Sequence, residues 1–243
     1  MNTTLNYSPN FNVKKRRVKQ IKFVIFHYTG MRRENDAIKK LTSKKSKVSC
    51  HYLIKNNGKI LILVPELYIA WHAGISFWKK YKLINKSSIG IELSNPGHEH
   101  NYKKFPKKQI NSLIKLSKYL IRKYKIKPSF FLGHSDIAVD RKKDPGEKFP
   151  WKYLSKKKIG LWHDLNHNFI KKKRNVELKK NDKLKFFKNL AKIGYPKIKF
   201  IYETKYTKLI TKAFQRRFRQ ELINGIIDLE CLLISNNIAK KIK

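Results

Sequence analysis

The sequence predicts an α/β fold: a central mixed β-sheet flanked by helices, followed by a small C-terminal three-helix domain. Three observations lead there. Short apolar, β-rich runs at residues 21–27, 48–54, 59–64, 88–93 and 130–133 are separated by helical or loop-like stretches. Two of these runs flank Asn56-Asn57-Gly58, a hairpin signal, so part of the sheet is antiparallel. After about residue 171 the strand-like runs stop and helical patterning takes over. The expected domains are residues 1–172 and 173–243.

Taken in order, residues 1–20 read as an irregular lead-in with a basic cluster at 14–19. The run IKFVIFH (21–27) does not alternate cleanly, as expected of a central strand buried on both faces, and it ends at His27. Tyr28-Thr29-Gly30 breaks it. Residues 33–45 place Ala37, Ile38 and Leu41 on one helical face. VSCHYLI (48–54) and KILILV (59–64) form the hairpin. AWHAGISFW (70–78) mixes rings with small residues and suits an irregular loop lining a groove. SIGIEL (88–93) is a further buried strand, ended by Asn95-Pro96-Gly97. Residues 106–124 carry Ile110, Leu113, Ile114, Leu120 and Ile121 at helical spacing, with Pro128 beyond the end. FFLG (130–133) delivers the chain to His134. Residues 171–185 read as linker and helix start. Helices are expected at 184–193, ending at Gly194, at 206–218 and at 228–238, forming a small separate bundle.

Charge narrows the partners. The 243 residues hold 58 Lys and Arg against 16 Asp and Glu, a formal charge of +42, which attracts polyanions such as nucleic acid, anionic lipid or an anionic wall. Lysine is spread over nearly the whole chain, so compositional drift explains the charge as well as a specific partner does. A nucleic-acid binder would interleave its cations with stacking aromatics on one face. Here the aromatics cluster beside histidines instead, and no specific nucleic-acid partner is expected. Cys50 and Cys231 are far apart and read as small packed hydrophobes. The first residues lack the long apolar run of a signal peptide or membrane span. Oligomeric state is not encoded legibly, and a monomer is the default.

Scarce acids are informative in such a chain. Asp136, Asp140, Asp144 and Glu147 fall in one segment beside His134, within a turn-rich Asp-Pro-Gly…Phe-Pro-Trp loop. His27, Glu92 and His134 sit at predicted strand ends or just beyond, where open α/β sheets bind ligands. Histidine and carboxylate are common zinc ligands, and His27, His134 and Asp144 would supply three. Equally, either histidine would serve as a buried, hydrogen-bonded strand end, and Asp144 as the cap of its own turn. Glu92 has no comfortable structural role between Ile91 and Leu93. His51, Trp71 and His72 lie in the aromatic region and are expected to touch substrate. His98, His100, His163 and His167 are expected in loops or on surface helices.

The segments FVIFHYTG (23–30), VSCHYLI (48–54), AWHAGISFW (70–78), SIGIELSNPGH (88–98) and GHSDIAVDRKKDPGEKFPW (133–151) together resemble the type-2 family of zinc-dependent N-acetylmuramoyl-L-alanine amidases. The resemblance implies the peptidoglycan-recognition-like fold for residues 1–172, with one Zn2+ on His27, His134 and Asp144. It implies Glu92 as the catalytic carboxylate and Lys142 as a cation beside the metal. Val139-Asp140 departs from the Pro-Gly or Pro-Asn common in that family, leaving the ligand positions intact. AFQRRFR (213–219) with NGIID (224–228) resembles, more weakly, the family's C-terminal peptidoglycan-binding helical module. The implied reaction is hydrolysis of the amide between N-acetylmuramic acid, including its 1,6-anhydro form, and L-alanine of the stem peptide. The implied partners are peptidoglycan or anhydromuropeptides. A catalytically silent muropeptide-recognition protein is the alternative within the fold. On compartment the signals divide: no signal-peptide pattern favours the cytoplasm, and the extra module favours the envelope.

Overall fold

A computed structural model describes residues 3–198 and 204–242. Its centre is a six-stranded sheet of β1 (Thr3–Leu5), β3 (Phe23–Tyr28), β4 (Tyr52–Ile54), β5 (Ile60–Ile62), β9 (Ser88–Leu93) and β10 (Phe131–Gly133). The order across it is β1-β5-β4-β9-β3-β10. Strands β4, β9, β3 and β10 run parallel, and β5 is antiparallel to β4 through the Asn56-Asn57-Gly58 turn. The expected mixed sheet is therefore present. Two small ribbons accompany it: β2 (Phe11–Asn12) with β6 (Ile69–Ala70), and β7 (Phe77–Trp78) with β8 (Tyr81–Lys82).

The lead-in is more ordered than its sequence implies. β1 lies parallel to β5 at the sheet edge, and β2 pairs with β6. All three residues of β1 are exposed, so no alternation marks them as a strand. Backbone pairing alone holds them there.

Alternation along β3 decides what each face becomes. Val24 and Phe26 point to one face, where α2 (Lys107–Tyr124) packs Ile110, Leu113, Leu116 and Leu120 against them and against Ile89 and Ile91. Phe23, Ile25 and His27 point to the other. That second face is covered in two places. At the β4–β5 end, α1 (Glu34–Thr42) packs Leu41 and Ile38 on Leu53, Leu61 and Leu63. At the β3–β10 end lie the C-terminal helices. Between the two covers the sheet floor is left for a cleft.

Three short helices follow β10: α3 (His134–Ile137), α4 (Trp151–Ser155) and α5 (His167–Lys171). The three expected helices then appear as α6 (Lys180–Ile193), α7 (Lys205–Phe218) and α8 (Leu229–Lys240). Gly194 does end α6, with φ +145°, and a side chain there would strike the Trp78 ring. These helices do not stand apart from the sheet. Phe186, Leu190, Phe214 and Ile238 form one cluster with Phe23, Ile25 and Leu132, so these helices pack on the sheet. Cys50 and Cys231 are both free and buried, as expected. Among the described residues, no helix is long and apolar enough to cross a membrane.

Candidate active site

The parallel strands end on one edge, and their registers place the site. β3 pairs with β9 so that His27 lies directly beside Glu92. β10 runs beside β3 and hands the chain to α3, whose first residue is His134. The turn that follows returns Asp144 to the same place, with its carbonyl accepting the Ser135 N–H at 2.8 Å. The peptide bond from Asp144 to Pro145 is cis.

His27, His134 and Asp144 are 1 %, 4 % and 7 % exposed, and their donor atoms converge. His27 Nδ1 is 3.1 Å from His134 Nδ1 and 3.0 Å from Asp144 Oδ2, and the last two atoms are 3.1 Å apart. The surrounding hydrogen bonds fix where the imidazole protons are. The Ala73 carbonyl can only accept, so His134 Nε2, 3.2 Å away, donates to it and Nδ1 is the nitrogen that faces Asp144. A longer chain settles His27. Ser88 donates its single hydroxyl proton to the Ile84 carbonyl (2.8 Å), so its oxygen accepts from His72 Nε2–H (3.1 Å). Burial pushes His72 well below the usual imidazole range, so the ring is neutral and its Nδ1 accepts from His27 Nε2–H (3.0 Å). A neutral His27 ring with its proton on Nε2 leaves Nδ1 bare.

Burial, with the neighbouring His134, lowers His27 to about 4, against the opposing pull of Asp144. Burial alone would raise Asp144, but the facing His134 and His27 more than offset this and hold it well below the usual carboxylate range. Two imidazole nitrogens and an ionised carboxylate oxygen therefore converge on one point. Such a set fits a cation. Tetrahedral zinc with ligands at ~2.0–2.1 Å has them about 3.3 Å apart, close to the spacing seen here.

Glu92 faces the same cleft. Its Oε2 is buried and has no hydrogen-bond partner. Burial, reinforced by the charge of Asp144, pushes its carboxyl up to about 8, although Lys142 and Lys40 oppose the shift. A half-buried carboxyl with one unpaired oxygen beside a cation site is poised for proton transfer rather than for structure. The cleft, of about 340 Å³, is lined by Tyr28, Trp71, His72, Glu92, His98 and Lys142 among others. Trp71 is held at its edge by a hydrogen bond from Nε1 to Asn12 Oδ1 (2.8 Å).

His51 and His72, both expected to touch substrate, sit differently with respect to the cleft. His51 is fully buried and does not line the cleft. Its Nδ1 accepts the Gly90 N–H at 2.9 Å, and its Nε2 lies 3.0 Å from Arg16 and 3.1 Å from the Tyr68 carbonyl, so it braces the sheet below the site. His72 does line the cleft, but both ring nitrogens are engaged by His27 and Ser88. It supports His27. The ring lies flat on Gly90, where a Cβ would sit only 2.4 Å from it, so this strand position needs glycine. Removing the His72 ring should weaken metal binding by about 10–100-fold, the usual size of an outer hydrogen-bond contribution. Chelator competition on His72→Ala measures this, and unchanged affinity would dismiss the relay.

A further support was not visible in sequence. Asp136, two residues after His134, accepts the Gly133 N–H (2.7 Å) and the Tyr195 hydroxyl (2.7 Å) and pairs with Arg217 of α7. Arg217 also donates to the Phe131 carbonyl (3.0 Å) and stacks on Trp151. The C-terminal helices thus grip the turn that carries a ligand. The only sequence signal was an acid beside a candidate histidine in an acid-poor chain.

The geometry is matched by the comparisons with known proteins. A family model described as N-acetylmuramoyl-L-alanine amidase matches residues 17–147, which include all three converging side chains and Glu92. The chain belongs to this amidase family. It is 37 % identical over 235 residues to the N-acetylmuramoyl-L-alanine amidase AmiD of Escherichia coli K12, covering 91 % of this chain and 83 % of that protein. Among solved structures, E. coli AmiD in complex with anhydro-N-acetylmuramic acid-L-Ala-D-gamma-Glu-L-Lys matches with a TM-score of 0.80 at 36 % identity, over 91 % of this chain and 90 % of that one. AMPDH3 from Pseudomonas aeruginosa matches with a TM-score of 0.80 at 30 % identity, over 98 % of each chain. The chain is an amidase of this family, with a His/His/Asp set able to hold a metal ion.

Proposed function

We propose that this amidase uses one zinc ion on His27, His134 and Asp144 to hydrolyse the amide joining N-acetylmuramic acid, including its 1,6-anhydro form, to L-alanine of the peptidoglycan stem. The observation that carries the reading is the meeting of two imidazoles and a carboxylate beside Glu92, which has one buried, unpaired oxygen among the described residues. All-nitrogen-and-oxygen donors with two imidazoles suit zinc. A zinc ion held there supplies Lewis acidity to the scissile carbonyl and to an attacking water.

The remaining steps belong to the chain. Glu92 accepts the proton of the attacking water and passes it to the nitrogen of the departing L-alanine. Lys142, in the cleft wall and close enough to oppose the Glu92 shift, stabilises negative charge developing on the carbonyl oxygen. Trp71 offers an apolar surface at the cleft edge. Residues 1–172 form the catalytic unit in this reading, and residues 173–243 a peptidoglycan-binding-like helical unit that also braces the His134 turn. In support, the similarity to AmiD extends past the family model into those helices.

Chelator-treated protein should lose cleavage of an anhydromuramyl peptide, and stoichiometric zinc should restore it. Full activity after exhaustive chelation, with metal absence verified by elemental analysis, would refute the metal-dependent reading.

A further inference from the structure

A second depression opens off the catalytic cleft, between α7 and the loop of residues 139–147. It has a volume of about 430 Å³ and shares His98, Arg141, Lys142 and Lys143 with the cleft. Its lining carries five cations (Arg141, Lys142, Lys143, Lys212 and Arg216) against two carboxylates, Asp140 and Glu147.

Arg216 is the informative member. Three arginines stand close together on and after α7. Arg217 binds Asp136 and the Phe131 carbonyl, and Arg219 binds Asp228 and the Leu222 carbonyl. Arg216 is only 9 % exposed; among the described residues its Nε, like that of Arg217, has no acceptor, but Arg217 bonds through its Nη atoms. The nearest carboxylate oxygen, Glu147 Oε2, is 4.0 Å away and lies 3.0 Å from His98 Nε2. A buried guanidinium N–H without an acceptor costs stability unless something else pairs with it.

We propose that this groove is a carboxylate-binding subsite for the stem peptide, centred on Arg216, so that the helical unit takes part in choosing the substrate. The proposal rests on the amidase reading. The fork of a guanidinium matches a carboxylate, and the surrounding lysines add attraction. Two acids in the lining disfavour a dianion such as phosphate. Val139, Leu209 and Ile223 supply an apolar wall for aliphatic parts of a peptide. A γ-linked glutamate, as in the ligand of the AmiD complex, keeps its α-carboxylate free beyond the scissile bond.

The test uses the zinc-loaded full chain and two anhydromuramyl tripeptides. They differ only in whether the glutamate α-carboxyl is free or amidated. Arg216→Gln should raise KM for the free acid by about 10-fold, leave kcat within about twofold, and leave the amide nearly unaffected. Lys212→Ala should act in the same direction by about threefold and covers the case in which Arg216→Gln fails to fold. Equal effects on both substrates, or no effect on either, would overturn the subsite. If the wild type cleaves neither substrate, the amidase reading fails. Calorimetric binding of the two free stem peptides then still decides the groove: loss of preference for the acid in Arg216→Gln supports it, and no preference in the wild type rejects it.

Discussion

Glu92→Gln lowers turnover by about 100-fold or more and leaves metal content unchanged, because a general base is lost and no ligand is touched. The same substitution has an opposite effect on the fold. In the metal-free protein burial raises Glu92 to about 8, from an ordinary value near 4.5. The folded state therefore holds this proton at pH values where the unfolded chain has released it. Stability from this group is complete below about 4.5 and is lost as pH rises through about 8. At full burial that loss would approach ~5 kcal/mol, and access from the cleft reduces it to a few kcal/mol at most. Glutamine carries no charge to bury. Metal-free Glu92→Gln should then melt several degrees above the metal-free wild type at pH 9 and close to it at pH 4. Thermal melts at the two pH values check the second effect, and stopped assays with metal analysis check the first. Near-normal turnover with full metal occupancy would remove Glu92 from the chemistry.

His134→Ala loses the metal itself. The residue supplies one of three donors, and its departure also breaks the contact to the Ala73 carbonyl. Turnover should fall at least as far as in Glu92→Gln. The distinguishing readout is linkage: zinc at 100 times Kd stabilises the wild type by about 2.7 kcal/mol. The same zinc should leave the melting temperature of His134→Ala unchanged. A zinc-induced rise equal to that of the wild type would show that His134 is not a ligand.

Much of this arrangement could be read from residues, and the gaps have physical causes. His27 and Glu92 stood out because each ends or interrupts an apolar strand, and sheet register then sets them side by side. Choosing His27, His134 and Asp144 among eight histidines and sixteen acids rested on the resemblance, since no short motif links them. Lys142 was indistinguishable by composition from its many neighbours. His51 and His72 look alike in sequence, each beside an aromatic residue. Their roles diverge because Gly90 presents its N–H to one ring and its bare Cα to the other. Asp136 and Arg217 are 81 residues apart, a pairing no local pattern encodes. The same contact ties α7 to the turn after β10, and the core residues of the C-terminal helices share one cluster with Phe23, Ile25 and Leu132.

Hydrolysis of one anhydromuramyl tripeptide in water enriched in 18O tests the central claim most directly, with products weighed by mass spectrometry. Zinc-loaded wild type should release the tripeptide with a free, unlabelled L-alanine amine. The anhydromuramic acid should carry one 18O in its lactyl carboxylate, and zinc-loaded Glu92→Gln should yield about a hundredth of both. Cleavage at any other amide, or unchanged yield from Glu92→Gln, would contradict the account.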